Sequence, residues 1–213
     1  MLRTDRQTQS QDCGKSWISS FVPTAPPAPR VVKPAPPPQL LPPPLAVPDS
    51  DADACELPTI APRLWVGAAS AAGNLKWMNA RGITHVVNVA SEVPDFFPAE
   101  LQYHSMRLRD TSDDMVPMMR ALPDACSFID AALASGGTVL VHCRMGLSRS
   151  AAVAVAFAMH RGVAQSAALA ALSQGRRGLS INFAFRAMLE MLQQRHAGIE
   201  GVRNTRSLFA TRR

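Results

Sequence analysis

Two rhythms of hydrophobic and polar positions run through residues 58–197, and neither is present before them. Leu64-Trp65-Val66 is a short apolar run closed by Gly67. Ile83 to Val89 (ITHVVNV) is apolar and β-branched, the pattern of a strand buried in a parallel sheet. Tyr103 to Leu108 alternates and ends at Arg109 and Asp110, and Thr138 to His142 (TVLVH) is the most strongly patterned strand. Between these lie helical periods. Asn74 is placed to cap a helix carrying Leu75, Trp77 and Met78 that stops at Gly82. From about Pro117, Leu122, Cys126, Ile129 and Leu133 mark one face of an amphipathic helix, which Gly136-Gly137 ends. Ser150 to Arg161 is rich in alanine and valine and reads as a buried helix. Ala164 to Gln174 and Asn182 to His196 read as two more, and the acidic TSDD at 111–114 reads as a loop.

Strand and helix alternate, so the predicted fold is α/β, a mostly parallel central sheet of about five strands flanked by helices on both faces. Ligands bind such sheets beyond the carboxyl ends of the strands. His142-Cys143 and Arg109-Asp110 both fall at such ends.

Composition divides the chain. Of 18 prolines, 14 lie between Pro23 and Pro62, in runs such as PAPPPQLLPPPLAVP. Such a segment leans towards polyproline II, so residues 1–57 read as a disordered proline-rich arm, 58–197 as the folded domain and 198–213 as a basic flexible tail. The arm carries a balance of −1, the domain +4 and the tail +3, within a net charge of +6. A modestly positive domain suits an anionic substrate. No aromatic residues are interleaved with the arginines, so no specific nucleic acid is expected.

Cys13, Cys55, Cys126 and Cys143 form no CxxC pair, which suggests neither a zinc site nor a disulfide framework. The first twenty residues lack an apolar core and no apolar run reaches membrane-spanning length. The expected location is therefore cytoplasmic, with the nucleus as an alternative.

The sequence VLVHCRMGLSRSAA concentrates the chemistry. If the loop from Cys143 to Arg149 wraps so that its N–H groups converge and feed into a helix, its centre is an anion site. Gly146 permits the tight backbone, and Arg149 presents a planar fork to two oxygens of a phosphate. The same field favours the thiolate of Cys143, placed for in-line attack on phosphorus. Ser148 and Ser150 add hydroxyl donors, Ser150 being equally suited to capping the helix. Arg144, Met145 and Leu147 complete the loop, the last two making its interior apolar. An acid must protonate the departing oxygen. Asp110 is the best placed carboxyl; Asp113 and Asp114 are the alternatives and read more simply as helix N-terminal charges. Cys126 reads as core, and Arg176 and Arg177 as pocket rim or solvated surface.

HCRMGLSRS resembles the signature of cysteine-dependent phosphatases, His-Cys-x5-Arg-Ser, in the form seen in dual-specificity protein phosphatases. The similarity covers about 58–195. LWVGAASAAGN resembles that family's opening strand and turn, GITHVVNVASEVP its second strand, LRDTSDDM its acid loop and SINFAFRAMLEML its last helix. The resemblance implies the cysteine-phosphatase fold, with Cys143 as nucleophile, Arg149 as phosphate clamp, Asp110 as general acid and Ser150 assisting breakdown of the phosphoenzyme. It implies that His142 tunes the thiolate from behind the loop and that Asn182 supports the loop. The family usually has proline where this chain has Ile181, and commonly Arg-Pro where it has Arg177-Gly178.

The activity so implied is hydrolysis of phosphotyrosine and phosphoserine or phosphothreonine in proteins through a phosphocysteine, with no metal and no cofactor. Alternatives keep the chemistry on a phosphoinositide or an RNA 5′ phosphate. Lipid-directed relatives place lysines where this chain has Met145 and Leu147. A further reading makes the protein an interaction module, its P-x-x-P segments (Pro23 to Pro26, Pro34 to Pro37) docking on SH3-type grooves, but the basic residues flanking them do not sit at the usual spacing, which favours a plain spacer.

Overall fold

The structure, a computed structural model, describes residues 53–195. The P-x-x-P segments and the basic tail lie outside the described residues. Five strands build one sheet: β1 (Ala54–Glu56), β2 (Leu64–Gly67), β3 (His85–Ala90), β4 (Gln102–Leu108) and β5 (Val139–His142). Their order is β1-β2-β5-β3-β4, with β1 antiparallel to β2 and every other pairing parallel. The predicted α/β architecture, a mostly parallel sheet of about five strands, is the observed one, with β1 the strand that the hydrophobic pattern did not place.

Alternation along each strand sends its side chains to two faces. Val66, Val87, Val139 and Val141 enter a large core, filled from the other side by α3 (Met115–Ala134), α4 (Arg149–His160), α5 (Gln165–Gly175) and a helix α6 over 183–195. Val86 and Leu140 enter a smaller core under α1 (Ala69–Ala72) and α2 (Leu75–Ala80), reinforced by Trp65, Trp77 and Phe97. Asn74 caps α2 as its position predicts, its side-chain oxygen accepting from Trp77 N at 3.0 Å.

Every residue of α4 from Arg149 to Met159 is buried. Its alanines let the sheet and neighbouring helices approach it on all sides, as a helix apolar all round requires. Met115 and Met119 pack against the same core, in which Met118 and Cys126 are fully enclosed.

β1 corrects the reading of 1–57 as one disordered arm. Ala54, Cys55 and Glu56 pair with Gly67, Val66 and Trp65, and Leu57 is buried behind them. Three residues are too few to display a period, and the proline-rich run beside them hides the change. A chain beginning at residue 58 should be less stable than one beginning at 53. The loss should be on the order of 3 kcal/mol, from the buried Leu57 and the lost strand. Equal urea midpoints would return the boundary to 58.

Candidate active site

The register brings three chain segments to one edge. His142, the last residue of β5, pairs with Gly67 on one side and Asn88 on the other, so Cys143 leaves the sheet between the ends of β2 and β3. The loop that follows is held by its carbonyls. Arg144 O accepts from Ala69 N at 3.1 Å, Met145 O from Arg176 Nη2 at 2.8 Å, and Leu147 O from Ser180 N at 3.1 Å. A planar peptide with its carbonyl tied outward turns the next N–H inward. The amides of residues 145, 146 and 148 therefore face the loop centre, an anion-binding nest at the start of α4. Gly146 N shows the direction, donating to Cys143 Sγ at 3.2 Å.

Gly146 has φ +71°, and a Cβ on it would lie 2.6 Å from the carbonyl carbon of Gly67 and 2.7 Å from Arg176 Nη2. Gly67 is equally constrained, since its own Cβ would meet that of Ala54 at 2.8 Å. The backbone of Gly146 stacks directly on that of Gly67, with the Arg176 guanidinium alongside.

Cys143 is buried and its Sγ lies 3.3 Å from the Ser150 hydroxyl. Ser150 is thus inside α4, and the N-cap residue is Ser148, whose own hydroxyl is turned elsewhere. It donates to Asp110 Oδ1 at 2.7 Å and accepts from Asn182 N at 3.2 Å. Asn182 Nδ2 donates to the same Asp110 oxygen at 2.6 Å, while Asn182 Oδ1 caps α6 by accepting from Phe185 N. Asn182 thus caps α6 through its side-chain oxygen and bonds Ser148 and Asp110 through its backbone and side-chain N–H groups. Asp110 Oδ2 takes neither of these bonds and stands 3.8 Å from Arg149 Nε. Of the alternative acids, Asp113 is exposed, and Asp114 is tied to the backbone N–H and guanidinium of Arg109. That ion pair holds the Asp114 carboxyl below the usual carboxylate range. Asp110 alone reaches the loop.

Arg149 is buried, and its charge is matched by Glu92, which accepts from Nη1 at 2.7 Å and also from Nη2. Leu108 O accepts from Nη1 at 2.9 Å. The hydrogen bonds from Arg149 pull the Glu92 carboxyl below its usual value. Arg149 Nε is buried without a hydrogen-bond partner, an open donor beside Cys143 and Asp110. A buried donor left open at the rim of an amide nest suits an incoming anion.

Glu92 was not singled out from the sequence, nor was the support that aims it. Asn88, fully buried, donates to Val93 O and to Asp95 Oδ1, both at 2.8 Å, and Asp95 accepts from Ser105 and Arg107. The available signal was a polar Asn88 inside an otherwise apolar strand, since a buried amide needs partners at fixed positions. Two other readings change. Met145 is exposed and Leu147 half-buried, so amides rather than apolar side chains form the loop interior. Arg176 is buried and bonds the loop, whereas Arg144 and Arg177 are exposed.

His142 lies fully buried behind the loop, Nδ1 3.5 Å from Cys143 O, and burial pushes its pKa from the usual 6.5 down to about 4. Because the folded value is the lower one, the unfolded chain binds more protons between pH 6.5 and 4. Stability is therefore full above 6.5 and declines as pH falls towards 4. The loss should be on the order of 3 kcal/mol, and denaturant titrations of a His142→Asn variant should show a shallower decline. Gly146→Ala should retain its helical circular dichroism yet weaken orthovanadate binding about tenfold or more, from strain at positive φ.

Comparison with known proteins agrees with this geometry. Residues 64–195 match the family model described as dual specificity phosphatase, catalytic domain. The human protein phosphatase Slingshot homolog 3 is 40% identical over 100 residues, covering 47% of this chain and 15% of that protein. The mouse dual specificity protein phosphatase 2 is 37% identical over 136 residues, covering 63% of this chain and 42% of that one. The chain thus spans less than half the length of these curated relatives. The crystal structure of human DUSP28 superposes with a TM-score of 0.59 at 29% identity, covering 63% of this chain and 90% of that one. An inward-facing amide loop on a parallel sheet, a cysteine at its base and an aspartate across it occur within the matched residues, and the chain belongs to the dual specificity phosphatase catalytic-domain family.

Proposed function

We propose that this protein hydrolyses phosphotyrosine and phosphoserine or phosphothreonine in proteins through a phosphocysteine intermediate. The observation that carries this reading is the loop of residues 143–149. The carbonyls of residues 144, 145 and 147 are bonded outward, Gly146 N donates to the Cys143 sulfur, and Arg149 Nε, which has no hydrogen-bond partner, stands 3.8 Å from Asp110. Family membership and the names of the curated relatives support protein substrates.

The residues divide the reaction as follows. Amides of the loop and Arg149 hold the three non-bridging oxygens, a preorganised cradle for charge that shifts in the transition state. Cys143 attacks as thiolate; the S–P bond forms as the P–O bond to the substrate breaks, and Asp110 gives its proton to the departing oxygen. In the second step water attacks phosphorus, Asp110 takes back a proton, and the S–P bond returns its electrons to sulfur. The Ser150 hydroxyl, 3.3 Å from that sulfur, stabilises the thiolate as it leaves. Since Asp110 Oδ1 takes both hydrogen bonds from Ser148 and Asn182, Oδ2 is the oxygen left to carry the proton.

Phosphopeptides, phosphoinositides and triphosphorylated RNA assayed side by side test the substrate class, and turnover of only the lipid or the RNA overturns it. Cys143→Ser should abolish turnover while retaining phosphopeptide binding. Asp110→Asn should cost about a hundredfold or more in kcat on alkyl-substituted phenyl phosphates. With a leaving group acidic enough to depart unprotonated, the cost should be far smaller. Asn182→Ala should show the same asymmetry at about tenfold, the scale of one hydrogen bond to a carboxylate; an equal loss on both esters would make its role structural.

A further inference from the structure

Phe183 and Met145 are the most exposed large apolar side chains among the described residues, at 78% and 61%. Neither is needed by the core. α6 buries Ala184, Phe185, Met188, Leu189 and Leu192, which lie along one side of the helix, and Phe183 stands off that face. Met145 is anchored through its backbone carbonyl, its side chain free in solvent.

The backbone places both at one mouth. Residues 176–182 run along the outer edge of the phosphate loop, touching it at Met145 through Arg176, at Leu147 through Ser180 and at Ser148 through Asn182. The last contact leaves Phe183 one residue from the amide that bonds Asp110, and Met145 two residues from Cys143. Asp110, which Asn182 bonds, and Arg144, the loop residue before Met145, are exposed as well. An aromatic ring and a flexible thioether are thus both exposed on segments bonded to the loop that carries Cys143, leaving their apolar surface in water.

We propose that Met145 and Phe183 form an apolar subsite that receives a leucine- or phenylalanine-like side chain adjacent to the phosphorylated residue of a peptide substrate. It rests on the protein-substrate reading above and deepens it. Its occupant follows from continuity with the reaction centre: once phosphate is fixed in the loop, the neighbouring residues of the peptide are the groups brought to this rim. Met145 adapts its shape to the incoming side chain and Phe183 supplies a rigid face.

The test uses the full chain and a pair of phosphopeptides that differ only in the residues flanking the phosphoresidue, leucine in one and serine in the other. The wild type should favour the leucine peptide by about tenfold in kcat/KM, chiefly through KM, and tenfold is about 1.4 kcal/mol. Phe183→Ala should remove most of that preference and Phe183→Leu should restore part of it. No preference in the wild type, or one unchanged in Phe183→Ala, overturns the subsite. An activity of Phe183→Ala raised on both peptides would mean that the chain's own arm or a second copy covers the rim, and would overturn it as well. Wild-type turnover of an aryl phosphate separates these outcomes from failure of the phosphatase reading itself.

Discussion

A loop can offer its amides to an anion only if its carbonyls are satisfied somewhere else, and that requirement organises this molecule. The bonds to the carbonyls of residues 144, 145 and 147 come from three different places: Ala69 at the start of α1, Arg176 just past α5, and Ser180 ahead of α6. The helices on one face and the turn after β2 are thereby committed to the same seven residues. The cradle is a product of the whole domain, although its sequence signature is short.

The second organising fact is a buried positive charge. Arg149 sits at the first turn of α4, where the helix dipole disfavours a cation. Glu92 and Leu108 O compensate it from the far side of the sheet edge. Their placement depends on the bend after β3, which Asn88 and Asp95 hold in shape. A buried cation left without its anion is costly, so the β3–β4 connection is as much a part of the site as the signature loop. The two halves meet at Asp110 and Ser148, where a hydroxyl of one segment bonds a carboxylate of the other.

Most of the sheet was legible in the sequence because apolar runs and their glycine stops are local signals. β2, β3, β4 and β5 fall where ITHVVNV, TVLVH and their neighbours place them, within two residues at each end. Cys143, Arg149, Asp110 and Asn182 were also singled out, the first two from a fixed spacing, Asp110 from its place at a strand end, and Asn182 through family resemblance. What stayed hidden was relational. Glu92 has no local mark that distinguishes it from a solvated acid, since its partner is 57 residues away. Met145 reads as loop interior because a sequence cannot say which way a side chain turns when the amides turn in. Arg176 is legible as basic and near the site, but its burial under the loop follows only from Gly146 having no side chain.

The pair Gly67 and Gly146 has a mechanical consequence. The main chain of Gly67 would lie 2.6 to 2.7 Å from a Cβ on Gly146, and the Ala54 Cβ of β1 would lie 2.8 Å from one on Gly67. No rotamer lies between them to absorb a displacement, so the three behave as one stiff beam. The proline-rich arm joins the domain at the outer end of that beam, immediately before β1. A shift of β1 at Ala54 is therefore felt at Gly67 and, through it, at Gly146, three residues from Cys143, with no rotatable side chain between.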